Sequence, residues 1–194
     1  MTWMILICHL PERSEKLRRL TRSLDKQKAK FPGLVDYKIN DSGRGMPTGI
    51  KRNMLTEQTQ SDYFSFIDDD DMVSENYVSE IMKGTESNPD VITFDGFYTE
   101  FGKNRREFTI RLGSKYYEDP KDQFYYHRFP NHLAVMRREK VQKVAFPPIW
   151  QAEDFQWADR IRSLGLLKTE HHIDLPLYHY DCFPVPKNSW RRAR

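Results

Sequence analysis

The sequence predicts a single α/β domain with a mostly parallel central sheet, helices on both faces and antiparallel strands added in the second half. Three observations carry this prediction. Short apolar strands alternate with amphipathic helices through the first half. A hairpin pattern then follows. A length of 194 residues suits one domain with a substantial core.

WMILICH (3–9) reads as a buried strand bounded by Pro11. ERSEKLRRLTRSLDKQKAK (12–30) places Leu17, Leu20 and Leu24 at helical spacing among charges, an amphipathic helix that FPG ends. VDYKI (35–39) is a second strand, NDSGRGMPTG (40–49) a loop, IKRNMLTEQTQ (50–60) a short helix and YFSFI (63–67) a third strand. Ser74 can cap a helix over 75–84 whose inner face is Tyr77, Val78, Ile81 and Met82. DVITFDGFYTEF, GKN and RREFTIRL form a hairpin with its turn at Gly102 to Asn104. HLAVMRRE (132–139) is a strand. EDFQWADRIRSLG is a helix with Phe155, Ala158, Ile161 and Leu164 inward and Gly165 as its stop. Short strands near 169–173 and 177–180 complete the pattern.

Composition narrows the function. The chain is 38% hydrophobic and 30% charged, with a mean hydropathy of −0.78, so it is globular with a wet surface. It contains no apolar run near the roughly 20 residues of a membrane span, and MTWMILICHL lacks the features of a signal peptide. A cytoplasmic protein without a membrane span is expected. Cys8 and Cys182 lack CxxC spacing and make no disulfide framework. The net charge of +3 belongs to the tail: Lys187, Arg191, Arg192 and Arg194 carry +4, leaving residues 1–186 at −1. A basic pI thus describes a tail and not a basic body, which weakens the case for a domain built on a polyanion-binding face.

The sheet type places ligands at the carboxyl ends of its strands. There YFSFI runs into Asp68, Asp69, Asp70 and Asp71. Adjacent like charges repel by roughly 1 kcal/mol per pair even at water's dielectric, so a compensating partner is expected. Asp68 and Asp70, two residues apart on an extended backbone, can share an oxygen-ligated Mg²⁺ or Mn²⁺, which completes its shell with water and phosphate. Arg44, Lys51 and Arg52, near a glycine-bearing loop and a helix start, can cradle a diphosphate. Glu153 and Asp154 open a helix, where carboxylates favour the dipole, and can also supply a general base. His179 can complete the metal's coordination. His171 and His172 read as structural, one ring inward and one outward.

The order ILICHLPERSEKLRRLTRSL, NDSG, GIKRNM, FSFIDDDDM and AEDFQWADRIRSLG resembles the family 2 glycosyltransferases of the GT-A, Rossmann-like fold over about residues 4–165. The resemblance implies inverting transfer of a sugar from a nucleoside diphosphate sugar, usually a UDP-sugar, with Mn²⁺ or Mg²⁺. It also implies a nucleotide-sugar half over 1–100, an acceptor half over 101–180 and a basic tail over 181–194. Asp41 would recognise the base, and Arg52 with Asn53 would lie by the nucleotide. Asp68 and Asp70 would form the DxD motif touching ribose and metal, with Asp71 a further metal ligand. Asp69 belongs with the nucleotide-sugar residues but faces away from the metal. Asp154 would be the general base, Glu153 would orient the acceptor, and His179 would be an added metal ligand. The His9–Leu10 pair and the single aspartate of NDSG depart from the family pattern and bear on base selectivity. The acceptor is a glycan or, given the basic tail and KNRRE (103–107), a hydroxymethylated DNA base. The alternatives are a nucleotidyltransferase or other nucleotide-sugar enzyme, for which the ED helix is unnecessary, and a non-catalytic metal-binding module, whose calcium-loop spacing is not met.

Overall fold

The computed structural model describes residues 1–182, so the cations at 187–194 lie outside the described residues. In chain order the elements are β1 (Trp3–Cys8), a 3-10 turn (Pro11–Arg13), α1 (Ser14–Lys28), β2 (Val35–Asn40), a second 3-10 turn (Gly43–Gly45), α2 (Thr48–Glu57), β3 (Tyr63–Phe66), β4 (Met72–Val73), α3 (Tyr77–Thr85), β5 (Val91–Glu100), β6 (Lys103–Ile110), β7 (Tyr117–Glu118), β8 (Tyr126–Arg128), β9 (Val135–Arg137), α4 (Arg138–Val141), α5 (Glu153–Ser163) and β10 (Glu170–Cys182).

One sheet holds all the strands in the order β2-β1-β3-β9-β5-β6-β8-β7, with β10 along β5 and β4 on β10. β1 pairs parallel with β2 and β3, and β5 pairs parallel with β10. Antiparallel β9 joins β3 to β5, and β5 folds back into β6. This is the expected arrangement, a parallel first half extended by antiparallel strands. α1 packs on α3 and α2 on α5. Trp3, Phe64, Phe66, Tyr77, Phe94 and Tyr178 fill the core between these layers. No helix among the described residues is long and apolar enough to cross a membrane.

Several local expectations need correction. Ser74 does not cap α3; its hydroxyl bonds Asn76, while the Val78 amide donates to Gln27 Oε1 at 3.0 Å. Gln27 of α1 also donates to the Ser74 carbonyl, so the helix start is satisfied from a neighbouring helix. The β5–β6 hairpin reverses at Phe101 and Gly102, both at positive φ, because Glu100 pairs with Lys103. In α5, Phe155 and Leu164 stay 41% and 49% exposed, and Glu153, Trp157, Ala158 and Ile161 turn inward. Stacking of Trp157 on Phe146, with centroids 4.3 Å apart, sets that rotation. Gly165 does end the helix, at φ +59. The strand expected over 132–139 is confined to β9, and the two last short strands are one, kinked by register shifts around Pro176.

Candidate active site

The acidic run leaves β3 at the middle of the sheet. On one side of β3, β9 runs antiparallel, and the carbonyl of His132 accepts from Phe66 N at 2.8 Å. Strand pairing therefore delivers His132 beside Asp68, although 64 positions separate them. The ring has Nε2 3.5 Å from Asp68 Oδ2 and Nδ1 3.2 Å from Asp154 Oδ2. Neither ring nitrogen completes an aligned hydrogen bond. Asp154 stands in the first turn of α5, after Ala152 in a left-handed conformation. These three side chains thus join the end of β3 to the start of α5.

The cleft they face has a volume of about 310 Å³. Asp68, Asp71, His132 and Asp154 line it together with Tyr98, Tyr116, Tyr126 and Tyr180, and with Arg128. Burial opposes ionisation of Asp68, but the adjacent Arg52 guanidinium and then His132 hold its carboxyl well below the usual range. Burial likewise opposes ionisation of Asp154, which His132 and Arg52 bring down to about 2. Burial and the Arg52 charge disfavour the imidazolium of His132, yet Asp154 and Asp68 raise its pKa above the ordinary value.

Asp71 is the opposite case. It is buried, its Oδ2 accepts the Tyr178 hydroxyl at 2.7 Å, and its Oδ1 makes no aligned hydrogen bond, although the Asp181 backbone amide lies close enough to favour the charged form. Burial first, then the Asp68 charge, push its pKa well above the ordinary value. The Tyr178 oxygen in turn accepts from the Asp68 amide at 3.2 Å. Asp70 is pushed up mainly by burial, against the pull of Arg13, whose Nη1 donates to it at 2.9 Å. A carboxylate oxygen without an aligned hydrogen bond, beside a second carboxylate, is the all-oxygen donor set that suits Mg²⁺ or Mn²⁺, and such ions take only one or two carboxylates. Asp71 Oδ1 supplies such a donor on the cleft, and Asp70, whose Oδ1 accepts from Arg13, is its neighbour in the chain.

Other expected site residues are placed elsewhere or are already engaged. Asp69 is buried and accepts from His9, the Leu10 amide and Arg13, so it ties the strand tip to the loop after β1. Both of its oxygens are used internally. His179 bonds Thr99 at 2.8 Å and stacks on Phe97. Tyr178 and Tyr180 face the core and the cleft, so alternation turns His179 to the other face, away from the Asp71 side chain. It does not serve as the expected metal ligand in this arrangement. Asp41 is exposed in the loop after β2, where it remains open to a ligand.

Most of the residues expected to cradle a diphosphate have partners within the fold. Arg44 pairs with Glu12, and buried Lys51 donates to the Gly43 carbonyl. Asn53 brackets Phe146, donating to its carbonyl at 2.9 Å and accepting from its amide at 2.8 Å. Gly49 lies so close to this segment that a Cβ would sit 1.8 Å from the Pro147 carbonyl oxygen. Arg52, over the ring of Phe66, donates to Asp68 and Glu153, each at 3.1 Å. Gly49, Arg52 and Asn53 therefore fasten residues 146–153, the segment that leads into Asp154. Glu153 is buried against Arg52, which fits a positioning task better than contact with an acceptor.

His132, Tyr178 and Arg13 had no signal in the sequence, because each acts through a partner more than 50 positions away. The tyrosines of the cleft were visible only as strand residues.

The sequence model for Glycosyl transferase family 2 matches residues 15–145, more than half of the chain. The chain belongs to that family of glycosyltransferases. The match includes the acidic run, α2 and His132 and ends before Glu153. No curated protein matches the chain significantly. In fold, this family 2 chain is similar to the crystal structure of S. aureus TarS 1–349 in complex with UDP-GlcNAc, with a TM-score of 0.69 at 12% identity, covering 100% of this chain and 62% of that one. The complex of TarS 1–349 with UDP gives a TM-score of 0.69 at 13% identity, covering 94% and 61%. A longer TarS structure gives 0.66 at 12% identity, and the chain spans 37% of its length.

Proposed function

We propose that the chain transfers a sugar, with inversion, from a UDP-sugar to the hydroxyl of an acceptor bound in the tyrosine-lined cleft. The observation that carries this reading is the placement of Asp154 and Asp68 on one cleft, joined through His132. Asp154 stays ionised throughout the neutral range and can take the proton of an attacking hydroxyl. A carboxylate held near pKa 2 is a weak base, so departure of the diphosphate has to carry much of the driving force. A Mn²⁺ or Mg²⁺ ion, held by Asp70 and Asp71, would neutralise charge on that leaving group. His132 lies between Asp154 and Asp68, within 3.5 Å of each, and Asp41 is open to meet the base. The UDP and UDP-GlcNAc complexes of the similar TarS fold support a uridine donor.

For the acceptor, a glycan suits the cleft best. Tyrosine rings cover apolar sugar faces while their hydroxyls and Arg128 reach polar groups. A hydroxymethylated DNA base flipped from the duplex is the second reading, favoured by the exposed cations Lys103 and Arg105 at the β5–β6 hairpin.

The test is UDP release and product formation from UDP-sugars with Mn²⁺, offered glycan acceptors and hydroxymethylated duplex in parallel. Asp154→Asn should keep UDP-sugar binding and lose about 10²–10⁴-fold in transfer. Absence of nucleotide-sugar binding in the presence of metal would sink the reading. Normal transfer by the variant would remove Asp154 from its role.

A further inference from the structure

We propose that Asp95, His172 and Asp174 form a second cation site, on the sheet face opposite the cleft, suited to a borderline transition metal such as Zn²⁺. Phe108 and Ile110 of β6 line the cleft, so Thr109 between them points to the other face. Thr109 pairs with Asp95 across the hairpin and donates its hydroxyl to Asp95 Oδ1 at 2.6 Å. His172 of β10 pairs with Thr93 across the other edge of β5, and Thr93 shares a sheet face with Asp95. One donor atom from each of Asp95, His172 and Asp174 lies within 4.8 Å of the other two.

The hydrogen bonds assign the imidazole tautomer. Thr93 Oγ1 is 2.5 Å from Glu170 Oε1, and an ionised carboxylate can only accept, so the threonine proton goes there. Its oxygen must then accept from His172 Nδ1, 2.8 Å away. In the neutral ring this leaves the Nε2 lone pair directed at two carboxylates. The side chain is 8% exposed, and Nε2 has no hydrogen-bond partner. A buried nitrogen lone pair facing two carboxylate oxygens needs an electrophile between them.

The spacing fits one. Metal bonds of about 2.0–2.1 Å in tetrahedral array hold neighbouring donor atoms about 3.3–3.4 Å apart. His172 Nε2 is 3.3 Å from Asp95 Oδ1 and 3.4 Å from Asp174 Oδ1. Each ligand is also braced from outside: Thr93 holds the ring, Thr109 holds Asp95, and Arg111 holds Asp174 at 2.7 Å. Two carboxylates against the single Arg111 charge leave the cluster attractive to a cation. Asp174, 80% exposed, provides the way in. One imidazole with two carboxylates favours Zn²⁺ over Mg²⁺, unlike the all-oxygen set of the cleft.

The experiment is titration of the full chain with ZnCl₂ in saturating Mg²⁺, followed by calorimetry and thermal melting, for the wild type, Asp174→Asn and Asp70→Asn. The wild type should bind one Zn²⁺ and melt higher with it. Asp174→Asn, a surface change, should weaken Zn²⁺ by at least about tenfold, and Asp70→Asn should leave it unchanged. Co²⁺ should give the strong visible absorption of a tetrahedral site in the wild type and not in Asp174→Asn. Equal Zn²⁺ affinity in wild type and Asp174→Asn overturns the proposal, as does loss of Zn²⁺ in Asp70→Asn, which would assign the ion to the cleft. Absence of Zn²⁺ binding, with Asp174→Asn less stable in metal-free buffer, also overturns it, in favour of an imidazolium shared by the two carboxylates.

Discussion

The strand tip Asp68–Asp71 and the first turns of α2 flank one buried guanidinium, Arg52, and they differ in what they leave open. In α2, Lys51 and Asn53 spend their polar atoms on backbone groups, and Gly49 admits the Pro147 carbonyl. At the strand tip, Asp71 keeps an oxygen without an aligned hydrogen bond, and both ring nitrogens of the adjoining His132 remain unaligned. In α2 one atom alone among these groups, Arg52 Nη1, is buried without a hydrogen bond, whereas the strand tip leaves several such atoms beside an open cleft, where a ligand can satisfy them.

Arg52 belongs to both regions, so its removal is the strongest way to break the comparison. Arg52→Met leaves buried Asp68 and Glu153 without their partner and should cost about 3–5 kcal/mol in denaturant unfolding. A loss below about 1 kcal/mol would mean that this pairing is dispensable. Gly49→Ala should cost less, about 1–3 kcal/mol, because the Pro147 segment must shift. Its transfer rate should fall more than its UDP-sugar affinity, since displaced residues 146–153 carry Asp154 out of position. Equal losses in both would dissociate α2 from the base.

The strand tip should answer with the opposite sign. Asp71 has its folded pKa raised, so its ionisation costs stability as pH rises from the unfolded value through the folded one. Asp71→Asn should therefore melt higher than wild type at pH 7 without metal. The gain should vanish near pH 4, and Mn²⁺ should stabilise the wild type alone. A lower melting point at pH 7 would contradict the unsaturated reading. The smallest effect is expected at Asp154, which is 31% exposed. Its folded pKa of about 2 lies below the unfolded value, so its contribution is present above about pH 4 and is lost as pH falls toward 2. Melting curves of wild type and Asp154→Asn should converge over that window and stay apart at pH 6.

Local pattern was sufficient wherever neighbours in sequence decide structure. Leu20 and Leu24 at helical spacing, the apolar run of β3, the hairpin and the Gly165 stop were all legible, because propensity and periodicity act within a few residues. The helix face of α5 was not. Phe155 and Trp157 are both aromatic and two positions apart, and the distant rings of Phe146 and Phe64 with the Val144 carbonyl decided which turned inward. Gln27, which satisfies the start of α3 from another helix, was hidden for the same reason.

By itself the sequence determined that this is an α/β domain with carboxylates mounted at a strand end, since apolar runs and like-charge clusters have consequences that do not depend on distant partners. Tertiary structure alone decided how those charges divide. Asp69 turns inward to His9 and Arg13, Asp71 is left half-satisfied against Tyr178, and Asp68 meets Asp154 through His132. Hydrogen bonding and desolvation depend on what the fold brings within about 3 Å, and that distance bears no relation to separation along the chain.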